Sequence, residues 1–363
     1  MFRWRGLCVL CGWLLATLSR AGLAADARSM VEADINGVRV EGRMLYQHEQ
    51  QLSLLARDGH WWTCKPAEAT NTRSSSDDFR PYTASEMRAR LAREMGDRFE
   101  VSGTRHFIVA YPKGQQEIWP QRFEELYGSC VHYFSIRGFT LSEPEFPLIA
   151  IVWRNRDEFR QAAKNEGAQL RDDVIGYYWQ VTNRLMMYDL GGNATHGKNW
   201  QDTADTIIHE ATHQTAFNTG IHNRFVNSPG WVAEGLATMF EPRGVHDSRN
   251  YPDQADRINR ARLIQFRQFQ VTKRSSDSIQ DLVTSDQRFK DNSTGAYAEA
   301  WALTFYLVET MPRDYAQYLQ KTAQRPQFKE YTASDRYADF VSVFGKDFRM
   351  LDARFIRYLK DIQ

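Results

Sequence analysis

His209 and His213 stand four residues apart in the stretch DTADTIIHEATHQTAFNTG, residues 202–220, and Glu210 directly follows the first histidine. Residues four apart share one face of a helix, so the two imidazoles can aim at one point. Zinc accepts such a pair, and a glutamate beside a ligand can act as base on a water at the metal. The spacing has a mechanical reason. Ligands need a rigid element, and the base must stand near the metal without entering its coordination sphere. The pattern is also short enough to recur by chance in an ordinary amphipathic helix, so the remainder of the chain has to supply a third ligand.

Glu234 is the candidate, in NSPGWVAEGLATMFE, 21 residues beyond His213. Ser228 reads as a helix cap with Pro229 at the first helical position. Val232, Leu236, Met239 and Phe240 give that helix an apolar face, and the small Gly235 and Ala237 permit close packing around a metal. Upstream, Asp202 or Thr203 reads as the cap of the histidine helix and Gly220 as its left-handed terminus. Two antiparallel helices would then present His209, His213 and Glu234 together, leaving a fourth position for water.

H-E-x-x-H followed by W-x-x-E-G-x-A resembles the gluzincin clan of zinc metallopeptidases, which includes thermolysin and the M1-type aminopeptidases. The likeness is nearest to small gluzincin-like domains of exported bacterial proteins. It spans roughly residues 100–330, with strong motifs only in 205–240. It implies one Zn²⁺ per chain held by His209, His213 and Glu234, with Glu210 as catalytic base. It also implies a sheet whose edge strand binds extended peptide, the place taken here by NRLMMYDL, residues 183–190. GAYAEAWALTFYLVE is similar to the M1-type segment in which a tyrosine precedes E-K-G-x-A-L, and the matched residue is Tyr297. Its phenol would donate to the oxyanion of a tetrahedral intermediate; the competing reading is a core tyrosine on an amphipathic helix, with Tyr306 or His222 as the next donor. Two departures stand out. The chain lacks the G-x-M-E-N motif that holds a substrate amine, which points to internal cleavage. Thr238 occupies the place, one turn after the third ligand, where thermolysin-like members put an acid to orient a histidine, so another group must do so.

The elements that must position these residues follow from periodicity. Residues 26–66 alternate apolar and polar around turn signals at Asn36–Gly37 and Asp58–Gly59, which predicts a small antiparallel β-module. The polar run 67–82 reads as a linker. Residues 83–200 alternate helix and strand, with strands at 106–112 and 147–153 and a hairpin closing near Thr182–Asn183. Beyond Trp200 nearly everything reads helical. The expected class is α+β: a β-module, then a domain over 83–363 with a mixed sheet and a helical, zinc-binding half from 201.

Arg3 and Arg5 ahead of an apolar run, followed by AGLAADA, have the layout of a signal peptide over residues 1–25, or of an uncleaved anchor. The expectation is an exported protein, periplasmic or extracellular, with no stable membrane span after cleavage. Removing that segment, with three arginines and no acid, takes the formal charge from +1 to −2. Near-neutrality gives no electrostatic case for nucleic acid. Cys8 and Cys11 fall in the apolar segment; Cys64 and Cys130 either pair or remain free thiols. His196 and His222 flank the metal helix, as cleft residues or as surface loop histidines. Asn193 and Asn292 open N-x-[ST] triplets. The reading is a zinc-dependent endopeptidase acting on peptide or protein substrates; the alternative is an inactive gluzincin-like scaffold that binds an envelope partner, against which the intact Glu210 argues.

Overall fold

The computed structural model describes residues 29–115, 119–189 and 198–362. The expected signal segment, His196 and Asn193 lie outside them. The chain is α+β. Strands β1 (Ser29–Ile35), β2 (Val38–His48), β3 (Gln51–Ala56), β4 (Trp61–Cys64) and β5 (Ala69–Asp78) form one antiparallel sheet in the order β4-β3-β2-β1-β5. Asn36 and Gly37 have φ of 52° and 81°, the left-handed pair that a two-residue hairpin needs. The inner face is apolar, with Ala33, Ile35 and Leu54 fully buried.

The run expected as a linker is therefore mostly strand. Asn and Asp are poor strand formers, and the Ser-rich run has no apolar alternation, so little local announces β5. It forms because β1 has an unpaired edge, and its polar, twice-bulged pairing with β1 is how a sheet edge is kept from further pairing.

The second sheet has the order β6-β7-β8-β10-β9, from β6 (Phe99–Gly103), β7 (Phe107–Pro112), β8 (Leu148–Trp153), β9 (Gly176–Trp179) and β10 (Arg184–Tyr188). β7, β8 and β10 run parallel and β6 and β9 antiparallel to their neighbours. Helices α1 (Ala84–Met95), α2 (Trp119–Ser135) and α3 (Arg156–Asn165) accompany it. Within the stretch 183–190, expected as the edge strand, Arg184–Tyr188 form the interior β10, and Leu190 lies outside the described residues. The edge strands of this sheet are β6 and β9.

The helical half comprises α4 (Lys198–Asn218), α5 (Gly230–Phe240), α6 (Arg243–His246), α7 (Arg260–Thr272), α8 (Ser278–Thr284), α9 (Gln287–Asp291), α10 (Ser293–Thr310), α11 (Pro312–Ala323), α12 (Ala333–Phe344) and α13 (Phe348–Asp361). Every residue of α10 from Gly295 to Val308 is buried, as expected of a helix enclosed on all sides. Its Glu299 is fully buried and is neutralised by Arg274 and Arg288, each at 2.7 Å. Gly235 of α5 packs against α10: a Cβ there would come within 2.3 Å of Thr304 Oγ1 and 2.6 Å of the Ala300 carbonyl. The small residue beside Glu234 thus serves helix packing rather than the space around a metal. Cys64 and Cys130 are both free and buried, one in the β-module and one in α2. Among the described residues no helix is long and apolar enough to cross a membrane.

Candidate metal centre

α4 is the element that orients the site, and two of its faces have separate tasks. Glu210, Gln214 and Asn218 recur every four residues and meet the sheet. Tyr178 on β9 donates its backbone N–H to Glu210 Oε2 at 2.7 Å. Gln214 Nε2 donates to the carbonyls of Ile149 and Asn183, each at 3.0 Å. The side-chain amides of Asn218 and Asn183 exchange hydrogen bonds at 2.8 and 2.9 Å. These bonds fix the rotation of α4, which turns His209 and His213 toward α5. The helix begins at Lys198, so Asp202 and Thr203 lie inside it rather than capping it. Gly220, at φ 87°, does turn the chain at the other end.

α5 brings Glu234. Its start departs from expectation: Pro229 is the N-cap residue, and Ser228 makes no cap. Asp286, 56 residues downstream, accepts from the Gly230 N–H at 2.7 Å instead. That carboxylate satisfies an orphan donor and suits the positive end of the helix.

The three side chains converge. Ligating atoms of His209, His213 and Glu234 all lie within 4.8 Å of one another, and each residue is buried. The Nε2 atoms of the histidines are 3.1 Å apart. Glu234 Oε2 lies 3.3 Å from His209 Nε2, and Oε1 lies 3.5 Å from His213 Nε2. Neither carboxylate oxygen makes a hydrogen bond, although Glu234 is only 1 % exposed. A buried carboxylate without hydrogen bonds is costly. Two imidazole nitrogens and a carboxylate gathered this way can hold a metal ion, and the orphaned oxygens fit that use.

Sequence reasoning missed Glu241. Its Oε1 lies 2.9 Å from His209 Nδ1, and its Oε2 accepts from Asn259 Nδ2 at 2.7 Å. This is the carboxylate that orients the imidazole, seven residues after Glu234, whereas Thr238 stands four after it. Thr238 turns its hydroxyl back to the Glu234 carbonyl at 2.6 Å. The available signal was the spacing: seven residues return to the same helix face after two turns. Glu241→Gln should weaken metal binding about 10- to 100-fold, the usual cost of losing such a partner. Competition titration with a chromophoric chelator measures it; unchanged affinity would show that Glu241 does not support His209.

Burial opposes charge on His209, but contacts with Glu234 and Glu241 outweigh it and raise its pKa to about 10. Burial likewise raises Glu210, with partial relief from the two histidines. For Glu234, burial is overcome by the imidazoles, which hold its carboxyl well below the usual range. The pocket is thus anionic enough to retain a proton, and a cation would compete for the same place.

α10 starts at Ser293 under an Asn292 cap, and Tyr297 is buried one turn inside. Phe289 meets its ring edge-on at 5.3 Å, and the Arg262 guanidinium lies 5.3 Å from its centroid. Arg262 belongs to the first turn of α7, which Asn259 caps while also holding Glu241. His222 is not a surface histidine but is 1 % exposed. The groove of about 1160 Å³ between α2 and α6 touches α4 at Ala204, Ile207 and Ile208 and is lined by none of His209, Glu210, His213 and Glu234, so size does not make it the chemical site.

Residues 203–329 match a protein family described as "Protein of unknown function (DUF1570)". No curated protein matches the chain. The matched segment begins just before the two histidines and includes Glu234, Glu241 and Tyr297.

Proposed function

We propose that the protein is an exported zinc-dependent endopeptidase. The observation that carries the reading is the convergence of His209, His213 and Glu234 beside a Glu210 that belongs to the same helix but not to the ligand set. Two histidines and one carboxylate are a donor set zinc uses in hydrolytic sites. Bound there, zinc would polarise the scissile carbonyl and lower the pKa of a water.

The remaining work falls to the chain. Glu210 is held through Oε2 by the Tyr178 amide, which leaves Oε1 to take the proton of the attacking water and pass it to the leaving amine. Peptide would lie extended along β9, the edge strand whose backbone already meets Glu210. Zinc content of the purified protein, together with chelator-sensitive cleavage of a peptide library, tests the reading. With no amine-anchoring motif, acetylating a substrate's N-terminus should leave its cleavage rate nearly unchanged. Strict dependence on a free amine would make the protein an aminopeptidase.

Tyr297 is the proposed oxyanion donor. Tyr297→Phe removes only a hydroxyl, so zinc content and fold should hold while kcat falls roughly 100- to 1000-fold. Wild-type turnover in that variant would make Tyr297 a packing residue; Tyr306, on the opposite face of α10 against Phe355 and Tyr358, could not take the role.

A further inference from the structure

Pro242 follows α5 and deprives one carbonyl of that helix of its usual partner. The Thr238 carbonyl would accept from the amide four residues on, and a proline there has no N–H to give. Asn259, 21 residues downstream of Thr238, supplies the donor instead, with Nδ2 at 3.2 Å. The same nitrogen donates to Glu241 Oε2 at 2.7 Å. At the other end of the amide, Oδ1 accepts from the Arg262 N–H at 3.1 Å and caps α7. One side chain, 8 % exposed, therefore joins the end of α5 to the start of α7 and spends both amide hydrogens and its oxygen there.

Glu241 depends on that contact. It is the C-cap residue of α5, and the negative end of a helix disfavours a carboxylate. The start of α7, which Asn259 caps, brings a positive helix end beside the same group. An amide N–H can only donate, so Oε2 is engaged as an acceptor and Oε1 is left to meet His209 Nδ1 at 2.9 Å. With the carboxylate held this way, a ligating His209 donates from Nδ1. Its Nε2 lone pair then faces Glu234 Oε2, 3.3 Å away, and the Nε2 of His213.

We propose that Asn259 is a positioning residue for the metal centre, acting through Glu241 to hold the His209 imidazole with Nε2 toward the ion. The inference rests on the zinc site of the proposed function and not on the hydrolysis. Its test is a double-mutant cycle on the full-length protein, with Zn²⁺ affinity measured by competition with a chromophoric chelator. Asn259→Ser keeps an oxygen for the α7 cap, since serine and asparagine cap about equally well, but offers Glu241 no amide. It should raise the Zn²⁺ Kd about ten-fold, the lower end of the usual loss for a partner of a ligating histidine. In a Glu241→Ala background the same substitution should change Kd by no more than about two-fold, because the route through Glu241 is already gone. Asn259→Asp has nearly the same shape and sets an oxygen against Glu241 Oε2. It should lose at least as much affinity, and it carries the test if Asn259→Ser does not fold.

Unchanged Kd in these Asn259 variants would overturn the proposal. So would a ten-fold loss that persists in the Glu241→Ala background, which would make Asn259 a strut of the fold. A wild type that takes up no Zn²⁺ would remove the proposal together with the metal site. The expected cycle in a protein that cleaves no peptide would keep Asn259 in its role and refute the hydrolysis.

Discussion

Glu210→Gln is expected to keep its metal and lose roughly 100- to 10,000-fold in peptide turnover, the usual contribution of a positioned acid–base group. The glutamine is nearly isosteric, and its carbonyl oxygen can still accept from the Tyr178 amide that holds Oε2 at 2.7 Å. α4 should therefore keep its rotation against β9, and His209 and His213 their aim. What disappears is the proton acceptor, since an amide does not take the proton of an attacking water. Metal content, Tm and kcat measured on the same preparation separate these effects. If mutant and wild type cleave peptides equally, the base lies elsewhere or the cleavage belongs to a contaminant.

His213→Ala should abolish metal binding altogether. It removes one of two imidazoles and leaves Glu234, 1 % exposed and already without hydrogen bonds, facing His209 alone. A metal held at about a thousand times its Kd stabilises a fold by about 4 kcal/mol. In a chain of this size its loss should lower Tm by on the order of 10 °C. Wild-type protein treated with chelator should fall by a similar amount, and zinc should restore the wild type but not the variant. Full metal occupancy in His213→Ala would remove the assignment.

The metal helix was legible because its signal is local. Four-residue spacing puts His209 and His213 on one face wherever α4 sits, and Gly220 marks its end by a backbone angle other residues avoid. Glu234 was legible one step further, through the periodicity of α5. What escaped depends on contacts distant in sequence. Asp286 caps α5 across 56 residues, so the local Ser228 was a misleading sign. β5 has no apolar alternation and exists because β1 offers an edge. The order of β8, β10 and β9 is fixed by packing, which is why the edge assignment fell one strand away from the one whose amide meets Glu210. Glu241 was within reach of the same helical spacing, two turns from Glu234 rather than one. Its task becomes evident only when α4 is laid against α5 and its oxygen falls 2.9 Å from His209 Nδ1.

The central claim is that His209, His213 and Glu234 hold one zinc ion. Elemental analysis by inductively coupled plasma mass spectrometry, on protein dialysed exhaustively after zinc loading, tests it most directly. The account predicts one zinc per chain in the wild type, one in Glu210→Gln and none in His213→Ala. Zinc-free wild type, or the same zinc content in all three proteins, would contradict it.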